Sequence, residues 1–303
     1  MSSLPTSLER LRGRVGVWTL AHESVPAADS GEIARELEAL GYSALWLPEA
    51  WGREAFTSSQ LMLEATTTLV VATGIASIWA RDAVTAANAS RTLNAAFQDR
   101  FVLGLGVSHP HLVERLRGHE YAQPLAAMDH YLTALSAAPM LAPEAEQPYA
   151  TVLAALGPAM MRLGATRADG MLSYLVTPEH TRGARAACGD AFVAVEQSVV
   201  LDVDREEFLR RAHAHLNLYT GLDNYRRSWR RQGFSAEDWV RGGSERLCDA
   251  LVVHGDADAV VNRVREHFDA GADHVCLQVL GPDATPPLET WRHLAPVLAA
   301  QWP

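Results

Sequence analysis

Val70-Val71-Ala72-Thr73-Gly74-Ile75-Ala76-Ser77-Ile78-Trp79-Ala80-Arg81-Asp82 runs from a β-branched apolar segment into glycine and small residues, and then into the start of a helix. The apolar part is too short for an ordinary helix and rich in Val and Thr, which suits a strand buried on both faces. Such strands belong to parallel sheets. Gly74 removes a Cβ where the backbone must bend or admit a ligand, and Asp82 can cap a helix that begins near Ala83. On this stretch alone two readings stand: a strand-to-helix turn in an α/β core, or the floor of a cofactor site.

Outward from it the same pattern repeats. Strands are predicted at 14–18, 43–47, 69–75, 101–106, 151–156, 170–174, 196–203 and 274–280. Helices are predicted at 29–40, 58–67, 83–97, 125–137, 159–167, 178–187 and 288–299. Eight β/α units in 303 residues fit a (β/α)8 TIM barrel, with residues 1–303 as one domain. The interval from about 204 to 251 is too long for a loop and helical in pattern, so it reads as a helical insertion after strand seven. The Pro-rich stretch 139–148 reads as a surface linker between units four and five.

Composition narrows the classes. Hydrophobic residues make up 48% and charged residues 20%, as in a globular protein with a large core. There is no run of roughly 18 to 20 apolar residues for a membrane helix. Met1 to Arg10 shows no basic n-region followed by an apolar core, so no secretory signal is read and a cytoplasmic location is expected. Cys188, Cys248 and Cys276 lack the spacing of a zinc site or a disulfide framework. A net charge of −10 argues against a nucleic-acid surface, and Arg226, Arg227, Arg230 and Arg231 read as a solvated helix face or a contact between subunits. All 26 basic residues are arginine. That excludes a Walker lysine, a Schiff-base lysine and a lysine general base.

Active sites of such barrels gather at the C-terminal strand ends. Those ends hold glycines, aromatics and few charges. Gly104-Leu105-Gly106 follows a strand but lacks the third glycine and prompt helix of a dinucleotide fingerprint. Gly106, Val107 and Ser108 could let a flat ring or a phosphate approach the backbone, or could simply pack. His109 and His111 flank Pro110 and are expected to point to different sides, without the carboxylate or cysteine a metal site needs. His109 alone can donate or take a proton near neutral pH. Leu156-Gly157-Pro158 ends a strand with proline preset for a first helical turn, and the free N–H groups there suit a cofactor phosphate without any lysine. Glu49 and Trp51, just past strand two, could orient a substrate; a surface pair between Glu49 and Arg53 is the duller alternative.

Taken as a set, Ala44 to Phe56, Ala72 to Asp82, Gly104 to His109, Leu153 to Pro158, Tyr174 to Thr181 and Ala270 to Gly281 resemble the luciferase-like superfamily. They are most similar to its branch of coenzyme F420-dependent oxidoreductases. The resemblance implies a homodimeric barrel with the deazaflavin ring at the C-terminal mouth. It implies a non-prolyl cis peptide at Gly74-Ile75, and a cofactor held by Gly74, Ile75, Ala76, Ser77, Gly106, Val107, Ser108, Leu156, Gly157, Tyr174 and Trp51. His109 stands where relatives carry an acid that serves proton transfer, and His109 with Glu49 are the expected catalytic residues. Two positions depart from the pattern: Ser77 stands where Asn is expected, and Met171-Leu172-Ser173 replaces a more polar run containing His-Pro. The activity so implied is hydride transfer between F420 and a small organic substrate. The alternatives are an FMN-dependent monooxygenase of the same superfamily and a non-catalytic flavin-binding barrel. A metal-dependent hydrolase is disfavoured by the sparse carboxylates and histidines at the strand ends.

Overall fold

Eight parallel strands close on themselves in the computed structural model, which describes residues 4–143 and 145–303. They are β1 (Arg14–Trp18), β2 (Ala44–Leu47), β3 (Val70–Thr73), β5 (Phe101–Gly106), β6 (Ala150–Ala154), β7 (Gly170–Ser173), β8 (Phe192–Leu201) and β10 (His274–Val279). β10 pairs with β8 on one side and with β1 on the other, which shuts the barrel. Helices α2 (Ser30–Ala39), α3 (Ala55–Glu64), α4 (Ala83–Ala96), α5 (Pro124–Ser136), α6 (Pro158–Arg167), α7 (Pro178–Cys188), α11 (Ala257–Asp269) and α12 (Leu288–Ala299) wrap the outside. This is the expected (β/α)8 barrel.

Strand alternation sorts the core into two shells. Val15, Val17, Leu45, Leu47, Val71, Leu103, Leu153 and Val195 face the helices. Trp46, Ala72, Val102, Val152, Leu172, Ala194 and Cys276 fill the barrel, with Leu8 and Leu11 beside the short helix α1 (Thr6–Glu9) packed into the same cluster. The inward parity carries on to the mouth, where it brings Trp18, Gly74, Gly106, Tyr174, Ser198 and Gln278 to one end of the barrel. That parity positions the site.

Several boundaries differ from the expectation. α3 starts at Ala55 rather than 58 because the Glu54 carboxylate accepts the N–H groups of Phe56 and Thr57 at 3.1 and 2.7 Å. β8 begins at Phe192, four residues earlier than the predicted 196. Strand three ends at Thr73 and is followed by a separate two-residue strand, β4 (Ala76–Ser77), paired with Leu105 and Gly106. β9 (Val252–Gly255) and α11 were not predicted; β9 extends the sheet beside Ser198 to Leu201, beyond the end of β7.

Within the 204–251 interval lie α8 (Arg205–Tyr219), α9 (Asp223–Arg231) and α10 (Glu245–Leu251). Phe208, Leu216, Tyr225, Trp229 and Leu247 pack with Leu175, Val200 and Val252 as a third core, set against strand ends of the barrel. The linker 139–148 joins α5 to β6; its Glu144 lies outside the described residues, as do Met1 to Ser3 of the N-terminal reading. Among the described residues no helix is long and apolar enough to cross a membrane.

Candidate functional site

The Gly74-Ile75 peptide is cis, and hydrogen bonds hold the groups on both sides of it. Gly74 N–H donates to Leu47 O at 2.7 Å, the Trp18 indole N–H donates to Gly74 O at 2.7 Å, and Glu49 N–H donates to Ile75 O at 3.1 Å. Below it the Thr73 hydroxyl donates to Gly104 O at 2.7 Å and accepts from Gly104 N–H at 2.9 Å. A Cβ on Gly104 would stand 1.9 Å from Thr73 O, so only glycine lets these strands meet. Gly106 serves differently: its missing Cβ makes room for Ile75, whose Cδ1 would lie 2.4 Å away. Ile75 therefore lies across Gly106 as a half-buried apolar ledge, with half-buried Ala154 also next to Gly106.

Glu49 braces this ledge from behind. Its carboxylate accepts Ser77 N–H at 2.8 Å and forms a two-pronged ion pair with Arg81, whose other amine bond is to Glu54 at 2.7 Å. The Glu49 side chain is 5% exposed. Both oxygens are thus committed, and the residue expected to meet a substrate has none to offer. The alternative pair with Arg53 does not form either, because Arg53 turns to Ser30 Oγ at 2.9 Å and to the carbonyls of His22 and Val25. Ser77 is buried, its hydroxyl accepting from Trp79 N–H at 3.3 Å. Trp51 is 69% exposed, so it stands in solvent and apart from the barrel interior.

One wall of the mouth is Val107, Ser108 and His109, all half-buried. Ser108 has φ 55° and Pro110 enters a helical turn, so the chain here is not extended. This corrects the expectation for the two histidines: the rings of His109 and His111 stack in parallel, with centroids 6.0 Å apart. Burial, assisted by His111, pushes the His109 imidazole down to about 4. At neutral pH it is uncharged, able to accept a proton but not standing as an imidazolium donor. Among the described residues its Nδ1 is buried without a partner.

Opposite stands an aromatic wall. The Tyr174 ring lies 5.1 Å from Trp18, its hydroxyl donates to Gln278 Oε1 at 2.8 Å, and it accepts from the Tyr219 hydroxyl at 3.2 Å. Tyr225 joins from α9, with its ring 4.9 Å from Tyr219 and 5.9 Å from His109. The insertion helices thus enter the mouth itself. His213 and His215 on α8 face apart, His213 to Gly242 O and His215 to Tyr174 and Ser198.

At the other edge, α6 begins at Pro158 with Gly157 as its N-cap and no side chain capping its first N–H groups. The guanidinium of Arg231 donates to Leu156 O at 2.9 Å and lies 3.7 Å from where a Gly157 Cβ would be. Arg227, one helical turn earlier, repels it: burial first, then Arg227, lowers the Arg231 pKa. His180 also reaches Leu156 O, at 3.2 Å, and its Nδ1 is buried without a partner. Among the described residues no carboxylate pairs with Arg231, and a helix start beside such an arginine has the chemistry to attract an anion.

The mouth therefore gathers Gly74, Ile75, Ala76, Gly106, Val107, Ser108, His109, Leu156, Gly157 and Tyr174, and leaves Trp51 outside. Trp18, His215, Tyr219, Tyr225 and Arg231 escaped the sequence reading. Trp18 was findable, since it is the inward residue at the end of β1; the others lie on insertion helices whose docking no local pattern reveals. Among the described residues no group of three or more His, Cys, Asp or Glu is placed to hold a metal ion.

A family model described as luciferase-like monooxygenase matches residues 11–274. A Mycobacterium tuberculosis protein described as a candidate coenzyme F420-dependent oxidoreductase is 31% identical over 107 residues, 35% of this chain. That match spans 31% of the mycobacterial protein's length. Among solved structures, an F420-dependent secondary alcohol dehydrogenase in complex with an F420-acetone adduct superimposes with a TM-score of 0.74 at 14% identity, covering 97% of this chain and 100% of that one. The oxygenating constituent of 3,6-diketocamphane monooxygenase of Pseudomonas putida, in complex with FMN, does so with a TM-score of 0.69 at 13% identity, covering 97% and 98%. At such identities the structural likeness establishes the fold.

Proposed function

Because the chain belongs to the luciferase-like monooxygenase family, we propose that it is an oxidoreductase that holds coenzyme F420 across the barrel mouth and passes a hydride between that deazaflavin and a small organic substrate. The carrying observation is one mouth with two unlike ends: the apolar ledge of Ile75 over Gly106, and the uncapped α6 start beside Arg231. A ligand with a flat apolar ring and a phosphate fits that pair. When bound, the deazaflavin supplies the hydride chemistry, while the protein binds and orients.

Ile75 and Ala154 would back the ring, Tyr174 and Val107 flank it, and Gly157, Arg231 and His180 hold the phosphate. His109 brings an unpaired Nδ1 to the wall, neutral at physiological pH, and so can accept a proton as the substrate is oxidised. Tyr219 and Tyr225 from the insertion keep water from the same space, a task suited to a closing element. The Mycobacterium tuberculosis relative supports F420 as the cofactor, and the FMN-bound Pseudomonas putida neighbour makes FMN the alternative.

Quenching of intrinsic tryptophan fluorescence tests the reading, with Trp18 as the reporter nearest the ledge. F420 is expected to saturate the signal at micromolar concentration and FMN to bind more weakly. Saturation by FMN with no response to F420 refutes the deazaflavin assignment and favours a monooxygenase served by a separate reductase. Tight F420 binding with no change in its redox state across a panel of alcohols, ketones and enones refutes catalysis.

A further inference from the structure

Glu196 is an acid on an inward strand position of the barrel, and it is 1% exposed. No ion pair to it is formed among the described residues. Its Oε1 accepts the Ser198 hydroxyl at 2.7 Å and its Oε2 accepts Leu175 N–H at 3.2 Å. Ser198 Oγ lies 3.3 Å from His215 Nε2, and the same nitrogen lies 3.4 Å from the Tyr174 hydroxyl. Tyr174 in turn stacks on Trp18, whose indole N–H holds Gly74 O. A line of hydrogen-bonding groups therefore runs from a buried carboxyl to the Tyr174 hydroxyl, and the Tyr174 ring lies 5.1 Å from Trp18 at the floor of the mouth.

We propose that Glu196, acting through Ser198, His215 and Tyr174, is the proton store of the barrel mouth and a positioning residue for the reaction. This rests on the oxidoreductase reading above. The chemistry is a balanced transfer. Ser198 gives its hydroxyl proton to His215 Nε2 as it takes the carboxyl proton of Glu196. The Nε2 proton then passes to the Tyr174 oxygen as the Tyr174 hydroxyl proton turns from Gln278 Oε1 and leaves for a basic atom of the bound substrate. Glu196 ends as a carboxylate, the substrate ends with one proton more, and Ser198, His215 and Tyr174 are unchanged. Running backwards, the line carries a proton away.

The surroundings suit each member to its task. With no counter-charge, burial pushes Glu196 up to about 7 against the opposing hydrogen bonds from Ser198 and Leu175, so it can hold or release a proton near neutrality. Burial pushes His215 down to about 4, so it is neutral at rest and holds the relayed proton only in passing. The other titratable groups that face Glu196 are Tyr174 beyond β7, Tyr219 on α8, Tyr225 on α9 and Cys276 on β10, and burial shifts each of them toward its neutral form. His109, on the opposite wall, reaches the mouth without this line.

Infrared titration of the cofactor-free protein provides a readout that needs no turnover. A protonated-carboxyl band is expected to titrate near neutrality, to vanish in Glu196→Gln, and to move upward in pH by about one unit or more in Ser198→Ala, where the carboxylate loses a hydrogen bond. In the F420-loaded protein the turnover rate should carry a neutral-range pH limb that Glu196→Gln abolishes, with F420 affinity within about twofold of the parent. If Glu196→Gln fails to fold, Ser198→Ala decides alone by shifting both the band and the limb. A band titrating in the ordinary carboxylate range, or a limb that persists in both variants, overturns the proposal. A protein that binds neither F420 nor FMN instead refutes the functional reading, and the infrared titration still decides whether the network's proton resides on Glu196.

Discussion

Lowering the pH from about 7 to about 5 should unfold this protein by an amount that its buried histidines set. His180, His267 and His274 are at most 8% exposed, and burial is the first cause that pushes them down to about 4, 3 and 4 respectively. Each is neutral in the folded state and hydrogen-bonded so: His267 meets Thr181 Oγ1 at 2.8 Å and Gln197 Oε1 at 3.0 Å, and His274 accepts from the Trp46 indole at 3.1 Å. A depressed folded pKa contributes stability that is whole above the unfolded value of 6.5 and is lost as pH falls toward the folded value. At about pH 5, some 1.5 units below the unfolded pKa, each such histidine costs ~2 kcal/mol, or about 6 for these three together, and His109 and His215, also pushed down to about 4 by burial, add to the loss in the same sense.

Glu196 acts in the opposite sense. Its folded pKa is raised from 4.5 to about 7, so the folded state prefers the proton and gains relative stability as pH falls through 7. Between about pH 7 and 5 this returns ~2 to 3 kcal/mol. The net expected loss is at least about 3 to 4 kcal/mol, a large share of an ordinary folding stability of about 5 to 15. Urea unfolding followed by tryptophan fluorescence at both pH values measures it. In His267→Gln, the drop between the two pH values should shrink by ~2 kcal/mol whatever the variant costs at neutral pH. A urea midpoint that stays level from pH 7 to 5 would falsify the assignment of these histidines as buried and neutral.

Further outcomes follow from the site. Glu49→Ala leaves Arg81 with Glu54 alone and strips Ser77 N–H of its acceptor, so a loss of about 3 kcal/mol is expected in thermal unfolding, near the lower end for a broken buried pair. Gly104→Ala places a Cβ 1.9 Å from a backbone oxygen and should yield no folded protein by circular dichroism. Gly106→Ala meets only the movable tip of Ile75 at 2.4 Å, so it should fold yet bind F420 at least about tenfold more weakly as the ledge shifts. Equal folding of the two glycine variants would contradict the packing described. Arg231→Ala should weaken F420 by about ten- to a hundredfold, and its affinity should depend less on salt than the parent's, as measured by fluorescence titration at two ionic strengths.

The period of the apolar residues alone located the strands of the barrel, because a buried strand and its following helix leave a local signature: β5 at 101–106 and α12 at 288–299 fall at the predicted residues. The resemblance of the Ala72 to Asp82 segment likewise implied the cis bond at Gly74-Ile75 that the structure contains. What side chains do at the mouth was decided elsewhere. Glu49 looked free because its partner Arg81 lies 32 residues on, across a strand and a loop. His109 looked poised to titrate near neutrality until the packing around it removed its water. Arg231 stays exposed, as a solvated helix face would be, yet its guanidinium reaches Leu156 O, 75 residues earlier, which no local pattern reveals. Periodicity is a property of neighbours along the chain and so is written in the sequence. Protonation, pairing and exposure depend on which groups barrel closure and the insertion bring together in space, and those only the tertiary structure decides.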